Sequence, residues 1–195
     1  MKLMIVSDTE SRYILDYFDG NVFSGVDLML SCGDLPAPYL EFLVTMINAP
    51  LYYVPGNHDT AFQRNPPGGC EDIDGRIVEY KGIKILGLGG CRSPRREIHQ
   101  YPEKDMAKRV RKMRGAIKKN RGFDILLTHA PAFGLGDGSD TFHRGFECFV
   151  GLMDIHQPKY HIFGHQHKSY RAAPGPDTYK NTRLINAFGY KFVEY

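Results

Sequence analysis

Two kinds of hydrophobic pattern alternate along the chain. Short, mostly apolar runs bounded by polar or glycine residues predict strands that are buried on both faces. Longer stretches in which apolar residues recur every three or four positions predict amphipathic helices. Strands are predicted at Lys2–Ser7, Asp27–Cys32, Leu51–Val54, Ile77–Tyr80, Ile83–Leu88, Asp124–Thr128, Tyr160–Phe163, Ser169–Ala172, Thr182–Ala187 and Tyr190–Glu194. Helices are predicted at Ser11–Asp19, Pro38–Ile47, Pro102–Lys119 and Gly145–His156. This alternation indicates an α/β fold.

Local signals fix several boundaries. The Ser11 hydroxyl can accept a hydrogen bond from a free amide at the start of the first helix. Pro36 and Pro38 stand where the second helix should begin, because proline is tolerated only in a first helical turn. Lys81-Gly82 joins two strands as a hairpin. The remaining long segments are predicted to be loops, at Ala61–Asp74, Cys91–Ile98 and Ala130–Thr141.

Composition places the chain among soluble globular proteins. The sequence has 195 residues, of which 42% are hydrophobic and 24% charged, which fits one domain spanning 1–195. No apolar run is long enough to cross a membrane and no secretory signal is seen, so we expect a cytoplasmic protein. The four cysteines lack paired spacing and are expected to be free thiols. The net charge of +3 permits an anionic substrate without requiring one.

Polar, metal-ligating residue types follow five of the predicted strands directly. These residues are Asp8, Gly33-Asp34, Gly56-Asn57-His58-Asp59, His129 and Gly164-His165-Gln166-His167. The carboxyl ends of strands in an α/β sheet are where ligands bind. Carboxylate, amide and imidazole groups suit Mn, Fe or Zn, and the glycines leave room for tight turns beside the ligands. A metal site at this edge is therefore expected.

The order of these motifs resembles the signature of the calcineurin-like metallophosphoesterases, in its small single-domain phosphodiesterase-like branch. The matching segments are Asp8, Gly33-Asp34, Gly56-Asn57-His58-Asp59, Thr128-His129-Ala130-Pro131 and Gly164-His165-Gln166-His167. The resemblance implies two mixed β-sheets sandwiched between helices, a four-layer α/β/β/α fold. It also implies hydrolysis of a phosphomonoester or phosphodiester by a hydroxide that bridges two metal ions.

The same resemblance implies the roles of the site residues. The metals would be two divalent ions, with Mn expected first and Fe, Zn, Ni or Mg as alternatives. The implied ligands are Asp8 and His167 for the first metal, Asn57, His129 and His165 for the second, and Asp34 as the bridge between them. His58 would protonate or stabilise the leaving oxygen, and Asp59 could orient it through the other ring nitrogen.

One position departs from the family pattern. The first motif normally reads Asp-x-His, whereas this chain has Asp8-Thr9-Glu10. In one interpretation, Glu10 is an oxygen ligand and makes the first site more Mn- or Mg-like. Alternatively, it turns toward Arg12 and leaves the first metal weakly held.

Other charged residues have two interpretations each. Nine cations lie within 104–121, namely Lys104, Lys108, Arg109, Arg111, Lys112, Arg114, Lys118, Lys119 and Arg121. They are typical of the solvated side of a helix, and a nucleic-acid surface is the less favoured alternative because no aromatic residues interleave them. Arg92 and His143 are candidate substrate contacts, although either could be an ordinary loop residue.

Three functions therefore remain open. The first is a phosphoesterase acting on a phosphorylated small molecule or nucleotide-like substrate. The second is a catalytically weak or inactive binding scaffold, and the third is a nuclease that uses the basic helix. An inactive scaffold would be expected to lose His58 or several ligands, yet only Glu10 departs from the pattern. The enzyme is therefore favoured. The sequence does not indicate the oligomeric state.

Overall fold

The computed structural model describes residues 1–167 and 176–195. The strands in this part of the chain are β1 Lys2–Ser7, β2 Val26–Ser31, β3 Leu51–Tyr53, β4 Cys70–Asp72, β5 Arg76–Tyr80, β6 Ile83–Leu88, β7 Cys91–Arg92, β8 Gln100–Tyr101, β9 Ile125–Thr128, β10 Tyr160–Phe163, β11 Thr178–Tyr179, β12 Thr182–Asn186 and β13 Gly189–Glu194. The helices are α1 Arg12–Asp16, α2 Gly20–Phe23, α3 Ala37–Ile47, α4 Glu103–Asn120 and α5 Glu147–His156, with a 3₁₀ helix at Asp59–Gln63.

The strands form two large mixed sheets and one small ribbon. The five-stranded sheet has the order β13-β1-β2-β3-β4, in which β1 to β4 are parallel and β13 is antiparallel. The six-stranded sheet has the order β11-β12-β10-β9-β6-β5, with a parallel centre and an antiparallel strand at each edge. The strands β7 and β8 pair with each other. The carboxyl ends of the parallel strands in each sheet therefore share an edge.

The two sheets pack face to face between layers of helices. Along β1, Leu3 belongs to the core between the sheets, whereas its neighbour Met4 packs with the buried residues of α1, α2 and α3. Along β9, Leu127 faces the same central core, and Leu126 packs with α4 and α5. Successive side chains of a strand point to opposite faces, so strands that are apolar throughout require cover on both sides. The result is the predicted four-layer arrangement.

Most of the predicted strands and the three longer helices are confirmed. Ser11 caps α1 by accepting a hydrogen bond from the Ile14 amide, and Pro38 lies in the first turn of α3. Lys81 and Gly82 both have positive φ, as a tight two-residue hairpin turn between β5 and β6 requires. The four cysteines are free thiols, as expected.

Several short elements differ from the prediction. The first helix was predicted to continue to Asp19, but α1 ends at Asp16, and the Asp19 side chain instead caps α2 by accepting from the Asn21 amide. The predicted loops Ala61–Asp74 and Cys91–Ile98 contain the edge strand β4 and the two-residue strand β7. These strands are too short or too polar to produce a hydrophobic pattern. The predicted strand Ser169–Ala172 lies outside the described residues.

Candidate metal centre

The site lies where both sheets end. Asp8 follows β1, Asp34 follows β2 and Asn57 follows β3, all in the five-stranded sheet, whereas His129 follows β9 and His165 follows β10 in the six-stranded sheet. Each sheet thus contributes ligand-type side chains to one edge of the sandwich. Within each sheet the placement follows from the parallel direction of the strands, and the packing of the two sheets brings the two sets of side chains together.

Three of these side chains converge on one ring nitrogen of a fourth, His129. The Nε2 atom of His129 lies 3.1 Å from Asn57 Oδ1, 3.1 Å from His165 Nδ1 and 3.3 Å from Asp34 Oδ2. The ligand atoms of Asp34, His129 and His165 all lie within 4.8 Å of one another. Atoms that bind a common cation at about 2.1 Å are separated by about 3 to 4 Å, so this geometry suits one shared divalent ion.

Hydrogen bonds on the far side of both imidazoles support this arrangement. The Nδ1 atom of His129 lies 2.7 Å from the carbonyl oxygen of Cys32, and Nε2 of His165 lies 2.8 Å from the carbonyl oxygen of Phe142. A carbonyl can only accept, so these nitrogens carry the hydrogen and the opposite nitrogens present lone pairs to the cluster. The donor set therefore fits a divalent metal. Sequence patterns give no signal for Cys32 and Phe142, because both act through their backbone.

Three of the site residues have strained backbones. Asp8, Asp34 and His165 have φ angles of 66°, 56° and 64°, in the left-handed region that residues with a side chain rarely adopt. Asp8 also accepts the amide of His165 at 3.0 Å on both carboxylate oxygens, which ties the end of β1 to the end of β10. Such conformations persist only where the surroundings enforce them, and they concentrate at functional sites.

Glycine is required at the turns, as predicted from the sequence. A Cβ atom on Gly56 would lie 2.1 Å from Asp34 Oδ1 and 2.7 Å from His129 Cε1. A Cβ on Gly33 would lie 2.2 Å from the amide nitrogen of Gly56, and one on Gly164 would lie 2.0 Å from Ser7 Oγ. Any larger residue would therefore push the ligand-bearing turns apart.

The buried charges of the cluster are coupled. Burial opposes charge on the His129 ring, but the adjacent Asp34 carboxylate outweighs this and raises the pKa of His129 to about 9. Burial also opposes ionisation of Asp34, whose pKa is nevertheless held well below its ordinary value by His129. Burial, reinforced by the charge on His129, lowers the pKa of His165 to about 3. The cluster thus stabilises a positive charge at Nε2 of His129, which holds a proton in the metal-free chain and would present its lone pair to a divalent ion that replaced this proton.

The residues implied for a first metal are less completely assembled. Nε2 of His167 lies 3.5 Å from Asp8 Oδ1, so these two side chains are neighbours. Glu10 is exposed, and within residues 1–167 and 176–195 it forms neither an ion pair with Arg12 nor a side-chain hydrogen bond. Asp8 and His167 are therefore in contact, and no hydrogen bond or ion pair of the described residues joins Glu10 to them.

His58 is exposed to solvent, whereas its neighbour Asp59 is buried. The His58 ring is 81% exposed, and its Nε2 lies 4.0 Å from Asp34 Oδ2 at the open side of the cluster. Asp59 is buried, and its Oδ2 accepts the amides of Gly56 and Asp34, both at 2.7 Å. Among the described residues no hydrogen bond joins Asp59 to the His58 ring, in contrast to the predicted orienting contact. Asp59 instead fastens the turn after β3 to the turn after β2.

The two predicted substrate contacts, Arg92 and His143, have different surroundings. The Arg92 guanidinium donates to the carbonyl of Gly145 at 3.0 Å and lies 3.7 Å from carboxylate oxygens of both Glu103 and Glu147. Two carboxylates thus partly balance its charge, and its role as a substrate contact stays a prediction. The His143 ring stacks on His165 with centroids 5.2 Å apart, and its Nδ1 lies 2.8 Å from Asp140 Oδ2. His143 thus stands beside the cluster.

Comparison with known proteins agrees with this fold. The family described as calcineurin-like phosphoesterase matches residues 1–169, and the chain belongs to this family. A Caenorhabditis elegans relative, UPF0046 protein K07C11.7, is 24% identical over 96% of this chain and 69% of its own length.

Solved structures share the fold at low sequence identity. The protein TT1561 of Thermus thermophilus has a TM-score of 0.64 at 15% identity, covering 96% of this chain and 89% of that one. A dimetal phosphatase from Danio rerio has a TM-score of 0.63 at 10% identity, covering 96% of this chain and 87% of that one. Separately, none of the helices in the described part of the chain has the length and apolar character needed to span a membrane.

Proposed function

We propose that this protein is a metal-dependent phosphoesterase that hydrolyses a phosphomonoester or phosphodiester. One observation carries the proposal: oxygen and imidazole donors from Asp34, Asn57 and His165 converge on Nε2 of His129. Membership of a phosphoesterase family whose members use divalent metals supports the same conclusion. A phosphorylated small molecule or nucleotide-like compound is the proposed substrate class.

In this proposal, the residues around His129 form the tighter metal site. One divalent ion would be held by Asp34, Asn57, His129 and His165, and a second by Asp8 and His167 together with Asp34. Bound ions supply Lewis acidity for the phosphate oxygens and an activated water. Because the pair of Asp8 and His167 is less complete, we expect the ion at Asp8 and His167 to bind more weakly than the ion at His129. Mn is the proposed metal, with Fe, Zn, Ni or Mg as alternatives, because carboxylate oxygens suit Mn while the imidazole nitrogens also suit Fe, Zn and Ni.

The proposed proton donor is His58. Its ring stands in solvent at the open side of the cluster, where a leaving oxygen could reach it. Its backbone amide donates to Asp34 Oδ1 at 2.8 Å, so the turn is fixed relative to the metal ligands while the ring stays accessible. Asp59 is proposed to keep this turn in place through its two backbone contacts rather than to act on the ring. His143, which stacks on His165, is the proposed substrate contact.

The test combines metal analysis with ester hydrolysis. Metal-depleted protein would be loaded separately with Mn, Fe, Zn, Ni and Mg, and its bound metal would be measured by mass spectrometry. Hydrolysis of p-nitrophenyl phosphate and bis-p-nitrophenyl phosphate would then be followed. Removing general acid catalysis costs about 10²- to 10⁴-fold, so we expect His58→Ala to lose activity by this factor and to keep its metal. We expect His129→Ala to lose both, and His156→Ala, a histidine at the distant end of α5, to lose neither.

Three outcomes would contradict parts of this proposal. Loss of metal in His58→Ala would mean that His58 is a ligand. Wild-type protein that binds metal but hydrolyses neither ester faster than His58→Ala would favour the scaffold alternative. Cleavage of labelled RNA with steep salt dependence, in place of small-ester hydrolysis, would favour the nuclease alternative.

A further inference from the structure

Arg109 differs from the other cations of the basic helix α4. Its side chain is only 21% exposed, and its Nη2 lies 2.6 Å from both carboxylate oxygens of Asp74, which is 17% exposed. The guanidinium also lies over the ring of Tyr101, 4.6 Å from its centroid. A cation held by a carboxylate and an aromatic face is not part of a solvated surface. The solvated-face interpretation of α4 therefore fails at this residue.

Arg109 and Asp74 both hold the backbone of Gly89. Nη1 of Arg109 donates to the Gly89 carbonyl at 3.0 Å, and the Gly89 amide donates to Asp74 Oδ1 at 2.6 Å. Gly89 itself is packed closely, since a Cβ there would lie 2.6 Å from the carbonyl oxygen of Pro55. The peptide groups on both sides of Gly89 are thus fixed by one ion pair.

The next residue connects this ion pair to two ligand-bearing turns. The Gly90 amide donates to the carbonyl of Pro55 at 2.8 Å, and the Gly90 carbonyl accepts the Ala130 amide at 3.4 Å. Pro55 precedes Asn57 by two residues, and Ala130 directly follows His129. A single peptide segment therefore bridges the turn of the five-stranded sheet and the turn of the six-stranded sheet that supply two of the converging donors.

We propose that Arg109 and Asp74 are positioning residues: by fixing Gly89 and Gly90, they hold the turns of Asn57 and His129 at the spacing that a metal ion requires. This inference rests on the proposed metal site but not on the proposed hydrolysis. Partners that orient metal ligands from behind typically change metal affinity by about 10- to 100-fold when they are lost. Arg109 contacts neither donor directly, so about 10-fold is the expected effect.

The experiment compares variants of Arg109 with a control variant that loses stability at a core position. Arg109→Met removes the guanidinium, and the double variant with Asp74→Asn also removes the carboxylate that would otherwise be left unpaired. Met113→Ala, one turn further along α4 in the core under the six-stranded sheet, is the control that loses stability without touching Gly89. Mn²⁺ affinity would be measured by titration calorimetry at a temperature where every variant is folded. Amide exchange of Gly90 and Ala130 would be measured in metal-free protein.

We expect both Arg109 variants to bind Mn²⁺ about 10-fold more weakly and to exchange these two amides faster, while Met113→Ala keeps wild-type values for both. Arg109→Lys should recover part of the affinity. Unchanged affinity and exchange in the Arg109 variants, or an equal loss in Met113→Ala, would overturn the proposal. The exchange measurement needs neither metal nor substrate. If the wild type hydrolyses no ester, the proposed function is therefore wrong, but this inference is still tested.

Discussion

Asp59 provides a direct test of how the site is built, because its two possible roles predict different effects of the same substitutions on stability and turnover. In the structure, Asp59 Oδ2 accepts the amides of Gly56 and Asp34 at 2.7 Å and is buried. Asp59→Ala would leave both buried amides without a partner. An unpaired buried group costs about 1–3 kcal/mol, so the free energy of unfolding should fall by about 4 kcal/mol. For a chain of this size, about 2–4 °C of melting temperature is lost per kcal/mol, which gives a decrease of about 8–16 °C.

Asp59→Asn is the matched variant. The amide oxygen of asparagine can accept the same two hydrogen bonds, so the variant loses only their charge assistance, and this loss is offset because burial disfavours the charge and raises the pKa of Asp59 to about 6. We expect this variant to melt within about 4 °C of the wild type and to keep its metal affinity and turnover. Melting should be followed by circular dichroism in metal-free protein, so that metal binding does not contribute, and turnover should be measured separately with Mn²⁺ present.

Two results would refute this reasoning. If Asp59→Asn keeps the wild-type melting temperature but loses turnover by about 100-fold or more, Asp59 acts on the His58 ring, as the sequence first indicated. If Asp59→Ala melts within about 2 °C of the wild type, the two backbone contacts contribute little and the turns are held by other interactions.

Three further predictions concern metal loading, turn packing and pH. Glu10→His should tighten binding of the second metal equivalent in calorimetric titrations, and Glu10→Gln should not; equal effects would mean that only the charge at this position matters. Gly56→Ala should abolish metal binding because its Cβ would lie 2.1 Å from Asp34 Oδ1, whereas Gly115→Ala on α4, with nothing within 4 Å of its Cβ, should bind normally. Burial lowers the pKa of His161 to about 3. Below about pH 6.5, this histidine is therefore protonated in the unfolded chain but stays neutral in the folded chain. The free energy of unfolding should fall by about 1.4 kcal/mol per pH unit down to about pH 3. Urea unfolding of metal-free protein at pH 7.5 and 5.0 should show this fall reduced by about 2 kcal/mol in His161→Gln; an identical fall in both proteins would contradict the assignment.

The sequence alone determined which segments form buried strands and which polar groups follow them. The apolar runs around Leu3 and Leu127 predicted strands that are covered on both faces, whereas the sandwich of two sheets was expected only from the family resemblance. Parallel strands within one sheet bring their carboxyl ends to one edge, so Asp34 and Asn57 could be expected to lie near each other, whereas only the packing of the two sheets brings His129 to them. The glycine at position 56 was predictable because the turns that carry the ligands are tight.

Only the tertiary structure decided which partner each polar side chain takes. Asp59 was predicted to be a catalytic residue, yet it holds backbone amides. Arg92 was predicted to bind substrate, and it lies near two carboxylates that partly balance its charge. Arg109 looked like one more solvated cation of α4, but it is largely enclosed against Asp74. A sequence pattern records which chemical groups are available along the chain. Hydrogen bonds and ion pairs depend on separations of a few ångströms between distant segments, and these separations exist only after the sheets and helices have packed.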